Sequence, residues 1–268
     1  MNRSRRAFLT GVAALGAAAG GCASLTDTRP RQFILVHGAW HGAWCWDKVV
    51  PLLRAGGHRV EAIDLPGHGG DAANAAAATL DGYVQRVVRS IDAASGPVVL
   101  VGHSMGGIAI TGAADARPEK VAAAVYLAAF LPRSGSAMLE TSRSPENESS
   151  LVGRAMIMSA DKRTVTLRAD ALKEAFYADC SDADVAWASS RVGPQALRPL
   201  GEKLVWASER FGRVRRVYVE TLRDRALAPQ AQRRIIAEIG FARVITMDTS
   251  HSPFLSRPQE LARHLVNV

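Results

Sequence analysis

Cysteine is scarce in this chain, with three in 268 residues, and only Cys45 in "GAWCWD" and Cys180 in "YADCSD" lie beyond the N-terminal segment. Their separation of 135 positions fits no disulfide framework, so two buried free thiols are expected. No Cys/His cluster has metal-ligand spacing, which argues against a zinc site or any other bound metal. A long apolar run is also missing. The best candidate, about 15 small or apolar residues from Ala7, falls short of the ~20 that a bilayer span needs. Dense basic clusters are few: without Arg3, Arg5 and Arg6 the 33 basic residues become 30, against 25 acidic, so the formal charge of +8 falls to +5. Arg213, Arg215 and Arg216 form the tightest remaining group, but their flanks read as a strand rather than a basic helix, and no nucleic-acid partner is expected. Internal repeats are absent.

The opening "MNRSRRAFLTGVAALGAAAGGCASL" has a basic head, an Ala/Gly-rich apolar run and no acidic residue before Asp27. Such a pattern reads as a removable export signal over residues 1–22. "SRRAFL" is similar to a twin-arginine signal, which predicts an exported, periplasmic protein. "AAGGC" is similar to the end of a lipoprotein signal, with Ala19 where Leu is usual. Lipidation of Cys22, and with it membrane anchoring, stands as one alternative; simple cleavage nearby is the other.

With 48% hydrophobic residues, the chain can bury the core of one large domain, or of one domain with an insertion. From Arg31 onward, short β-branched runs alternate with helical patterns, which predicts an α/β fold: about six mainly parallel strands with helices on both faces. The strands are read at "FILV" (33–36), "HRVEAID" (58–64), "VVLV" (98–101), "KVAAAVYLAAF" (120–130), "RRVYVETL" (215–222) and "ARVITMD" (242–248). The Ala-rich "DAANAAAATL" reads as a helix start. Between residues 132 and 211 the rhythm breaks into a polar stretch and short helical patterns. Eighty residues are too many for a plain loop, so this segment is expected to be an inserted, mainly helical lid at the carboxyl edge of a core made of 31–131 and 212–268.

In "VVLVGHSMGGIAI", Ser104 stands between a buried strand and a helix, with Gly102 and Gly106 two positions to either side. A strand and helix that meet so closely need neighbours without side chains, and the turn projects the serine hydroxyl outward. The stretch lacks the Lys of a phosphate-binding loop and the spacing of a dinucleotide fold. A serine nucleophile needs a base, itself oriented by an acid. His251 in "MDTSHSPF" follows the last strand in a loop and is the expected base. His37 and His103 read as braces for the glycine turns, His41 as structural, and His58, His68 and His264 as solvated or loop residues. Asp224 follows the fifth strand and is the expected acid; Asp248, three residues before the histidine, would need an awkward reversal to reach it. The turn "VHGAWHGAW" offers the Ala39 backbone N–H, which with that of Met105 would bind an oxyanion.

These residues, with "VYLAAFLP", "DCSDADVAWASSRVGPQAL" and "SHSPFLSRPQEL", resemble the α/β-hydrolase family, and within it the branch of plant methylesterases, hydroxynitrile lyases and related bacterial esterases. The order Ser, Asp, His is that family's order. The resemblance implies the nucleophile at Ser104, acid at Asp224, base at His251 and oxyanion donors at Ala39 and Met105. Lyases of the branch typically carry Thr where Gly38 stands and Lys where Ser252 stands, so both lyase marks are missing. "DLPGHG" (64–69) departs from the plant pattern, and a plant-hormone ester is not assumed. The expected activity is therefore a cofactor-free serine carboxylesterase acting on small to medium esters, methyl or aryl among them, through an acyl-enzyme. Trp40 and the lid would form an apolar substrate pocket. A hydroxynitrile lyase, another carbon–carbon-cleaving enzyme and a non-catalytic ligand binder are the competing readings.

Overall fold

The computed structural model describes residues 29–268, so the export-signal segment and Cys22 lie outside the described residues. Six strands form the central sheet: β1 (Gln32–Val36), β2 (Arg59–Ile63), β3 (Val98–His103), β4 (Val121–Leu127), β5 (Arg216–Thr221) and β6 (Arg243–Met247). Their spatial order is β6-β5-β4-β3-β1-β2, with every neighbouring pair parallel. The central strand β3 is buried at every position, as a continuous apolar run covered on both faces requires. Edge strands β2 and β6 expose part of their length, Arg59 in the first and Arg243, Val244 and Thr246 in the second.

Register carries the functional segments to one edge. Val36 of β1 lies opposite Gly102 of β3, His103 lies opposite Leu127 of β4, and Thr221 of β5 lies opposite Met247 of β6. The chain leaves the sheet just beyond each of these residues, so the loops carrying Ala39, Ser104, Asp224 and His251 all emerge at the carboxyl edge. Helices α1 (Val50–Ala55), α2 (Leu80–Ala93), α3 (Gly106–Ala116), α4 (Pro229–Ile239) and α5 (Pro258–Val266) complete the core. No helix among the described residues is long and apolar enough to cross a membrane.

Two local expectations need correction. "DAANAAAATL" does not begin α2: residues Gly69–Ala77 wind as a separate 3-10 stretch, and α2 starts at Leu80. Thr79 sits extended between the two and accepts the Gly82 N–H at 2.9 Å, so the hydroxyl caps a helix that alanine propensity alone would start earlier. His58 and His68, read as solvated or loop residues, lie in loops but are not solvated, since both are buried. His68 points inward because Gln195 of the inserted segment accepts from its Nε2 at 2.9 Å.

Residues 132–211 hold six short helices, among them Ala169–Phe176 and Asp182–Ser189. They also hold two small antiparallel sheets: Ser136–Ala137 with Lys203–Leu204, and Met156–Met158 with Thr164–Leu167 and Gln195–Ala196. Strands of two to four residues are too short to show an alternating pattern in sequence. The segment is fastened to the first core loop by Trp40, whose Nε1 donates to Val165 O at 3.0 Å, and by a 2.7 Å hydrogen bond between Tyr177 Oη and His41 Nε2.

Candidate active site

Ser104 has a φ of +51°, a left-handed conformation that costs an L-residue on the order of 1–3 kcal/mol. Surrounding backbone holds it there. Its N–H donates to Leu127 O at 3.1 Å, and its carbonyl accepts from Gly107 at 3.1 Å and Phe130 at 3.0 Å. The flanking glycines are needed for close approach: a Cβ on Gly102 would stand 2.8 Å from Gly106 O, and one on Gly106 would stand 2.6 Å from His37 O. The hydroxyl is thereby delivered to the floor of a cavity of about 480 Å³, walled by Trp40, Phe130, Leu139, Phe176 and Leu200.

His251 and Asp224, distant in sequence, meet at the same edge. His251 Nδ1 donates to Asp224 Oδ2 at 2.7 Å. His251 Nε2 is buried and has no hydrogen-bond partner among the described residues, so its lone pair is free to take a proton. His103 braces this loop: its Nε2 donates to the His251 carbonyl at 3.0 Å, and the two rings lie 4.5 Å apart. From the insertion, Phe176 packs on the His251 ring with centroids 5.5 Å apart.

Asp224 is buried yet well supplied with donors. Its Oδ1 accepts from the backbone of Ala226 at 2.7 Å and Leu227 at 2.8 Å; its Oδ2 accepts from Thr221 Oγ1 at 2.8 Å, Gln232 Nε2 at 3.1 Å and His251. Such a set compensates the charged carboxylate for lost water. Thr221 and Gln232 escaped the sequence reading. Gln232 had one visible signal: it lies three positions before Ile235 on α4, a polar residue on the helix face that is buried. Asp248 turns away instead, pairing with Arg223 Nε at 2.9 Å.

The N–H groups of Ala39 and Met105 donate to no acceptor among the described residues, although both residues are buried. Unused amides in an interior are uncommon and suit an anion that arrives only with substrate. Trp40 beside them has a φ of +63°. Burial drives the imidazoles of His37 and His103 well below the ordinary histidine range and lowers His41 to about 4. These rings are neutral braces. Among the described residues no group of His, Cys, Asp or Glu comes together to hold a metal, and Cys45 and Cys180 are separate free thiols, the second only half-buried. A hydroxyl on a strained turn, an imidazole with one nitrogen free and the other held by a carboxylate, and two unused amides are the parts that acyl transfer requires.

Residues 33–264 match the alpha/beta hydrolase family. Salicylic acid-binding protein 2 of Nicotiana tabacum is 35% identical over 252 residues, spanning 89% of this chain and 96% of that protein. Methylesterase 1 of Arabidopsis thaliana is 31% identical over 255 residues, spanning 90% and 97%. Among solved structures, the pyrethroid hydrolase of Sphingobium faniae JZ-2 superposes with a TM-score of 0.80 at 29% identity, covering 88% of this chain and 96% of its own.

Proposed function

Because the chain belongs to the alpha/beta hydrolase family and is a carboxylic ester hydrolase, we propose that it works through an acyl-enzyme formed on Ser104. In this reading Ser104 Oγ attacks the ester carbonyl while His251 Nε2 takes its proton. Asp224 holds the imidazole tautomer and stabilises the imidazolium that forms. The Ala39 and Met105 N–H groups receive the oxyanion, and His251 returns its proton to the leaving alcohol. Water, activated by the same His251, then releases the acid. The observation that carries the reading is the unpartnered Nε2 of His251, whose Nδ1 is fixed at 2.7 Å from Asp224.

The substrate class we infer is small to medium esters, methyl or aryl among them. Support comes from the methylesterase and pyrethroid hydrolase relatives and from a largely apolar cavity of about 480 Å³. Cyanohydrin cleavage is disfavoured because Ser252, not a lysine, follows His251. At position 38, moreover, a Cβ would stand 2.8 Å from Ser104 Cβ. The name of the tobacco relative keeps a binding role in view, and turnover separates the two.

The test is a fluorophosphonate label, read by peptide mass spectrometry, alongside turnover of 4-nitrophenyl acetate and of mandelonitrile. One label per chain, on Ser104, with no cyanide released is the expected result. Cyanide release without ester turnover would move the protein to the lyase class, and a stoichiometric label elsewhere would overturn the mechanism.

A further inference from the structure

The chain has six methionines, five of them among the described residues. Met105 and Met247 are 0% exposed and Met138 is 6% exposed, whereas Met156 and Met158 are 42% and 51% exposed. The two exposed residues share the strand Met156–Met158, which lies at the edge of its small sheet and pairs only with Thr164–Leu167. Side chains two apart on a strand point to the same face, so both thioethers face one way. That face is the cavity above Ser104, which both residues line. Ile157 points to the opposite face and is half-exposed. The wall is also tied to the core, since Val165, the register partner of Met158, accepts the Trp40 indole N–H at 3.0 Å.

We propose that Met156 and Met158 are a peroxide-reactive wall of the substrate cavity, whose oxidation weakens the binding of apolar substrates while sparing short ones. A sulfur lone pair attacks one peroxide oxygen, an S–O bond forms as the O–O bond breaks, and the departing hydroxide takes the proton from the transferred oxygen. The thioether becomes a sulfoxide and hydrogen peroxide is reduced to water. Sulfur loses two electrons and no further reactant is needed. Each sulfoxide adds a strong, hydrated dipole to a lining that is largely apolar, with Ser142, Arg143, Asn147 and Arg154 among its polar members, so an apolar acyl group now displaces water that the dipole holds. A short acyl group that leaves the mouth of the cavity unfilled does not meet this cost. The sulfoxide is reducible, so the change is reversible.

The substrate effect rests on the ester-hydrolase reading; the order of oxidation and the binding effect do not. Hydrogen peroxide is titrated against the native chain, and one-oxygen additions are mapped by peptide mass spectrometry. Steady-state constants are measured for 4-nitrophenyl acetate and 4-nitrophenyl hexanoate, and affinity for the apolar fluorophore N-phenyl-1-naphthylamine is measured in parallel. Oxygen is expected at Met156 and Met158 before Met105, Met138 or Met247. With it, the hexanoate KM and the fluorophore Kd rise about tenfold, the acetate KM changes less than twofold, and methionine sulfoxide reductase reverses the effect. The doubly substituted Met156→Leu, Met158→Leu chain, compared with its own untreated form, should show neither rise. Oxidation of the buried methionines at equal rates would overturn the proposal, as would sensitivity surviving in the double variant, or oxidised Met156 and Met158 with unchanged fluorophore affinity. If the untreated chain hydrolyses neither ester, the ester reading fails and the fluorophore comparison still decides this one.

Discussion

His251 Nδ1 lies 2.7 Å from Asp224 Oδ2, with the two side chains almost wholly withdrawn from solvent. A carboxylate so deeply placed is tolerable because five donors converge on it, and one of them is the imidazole. The pair therefore fixes one nitrogen of the ring and leaves the other without a partner among the described residues. Asp224→Asn should keep the fold while losing control of the tautomer. We expect kcat for a nitrophenyl ester to fall by about 10⁴ with KM little changed. Thermal melting of the same samples checks that the protein is folded, and a loss below tenfold would count against the assigned acid.

Gln232 holds the acid from behind. Its Nε2 serves Asp224 Oδ2 and Leu227 O, while its Oε1 accepts the Thr221 N–H at 3.0 Å. Gln232→Leu leaves that buried N–H without a partner, and its lost hydrogen bonding should cost about 2–3 kcal/mol of stability. A urea titration reads the loss directly. Because Asp224 keeps four donors, kcat should fall only about tenfold, far less than in the Asp224 variant.

Acid should destabilise the fold through the buried histidines. In the folded chain His41 is neutral: Nδ1–H donates to Ala39 O at 2.8 Å and Nε2 accepts from Tyr177. With its folded value lowered to about 4, the unfolded chain binds the proton first as pH drops below histidine's ordinary range near 6.5. Stability is therefore full above that range and declines as pH falls toward 4. Each such ring contributes ~1.4 kcal/mol per pH unit across that window, and His37 and His103 add to it in the same direction. Urea midpoints at pH 7, 6 and 5 should fall in that order; equal midpoints would contradict the neutral braces.

The turn at Ser104 leaves no room at Gly106. A Cβ there would meet His37 O at 2.6 Å and Val36 O at 2.8 Å, both of them backbone that cannot swing aside. Gly106→Ala should push α3 away from the β1 loop and separate the Met105 and Ala39 amides. An activity loss of about 10² or more, with a lowered melting temperature, is expected from paired kinetic and melting measurements.

The strands were legible where a short run is apolar along its length, as in "FILV" and "VVLV". The serine turn was legible because only glycine fits beside it. Asp224 and His251 could be read from their places just beyond two strand ends. Other features carried no local signal. The caps and small sheets of residues 132–211 depend on partners far away in sequence, and Gln195 reaches His68 across 127 positions. Thr221 and Gln232 show their meaning only once β5 and α4 are folded against each other. Thr79 overrode alanine propensity at the start of α2 through a single hydroxyl.

Whether Ser104 forms the acyl bond is decided by the hydrolysis rate of 4-nitrophenyl acetate by Ser104→Ala beside the wild type. Substitution with alanine keeps the backbone and removes only the nucleophile. A fall in kcat of at least about 10⁴, with an unchanged melting profile, is expected. Turnover by the folded alanine variant at the wild-type rate would contradict it.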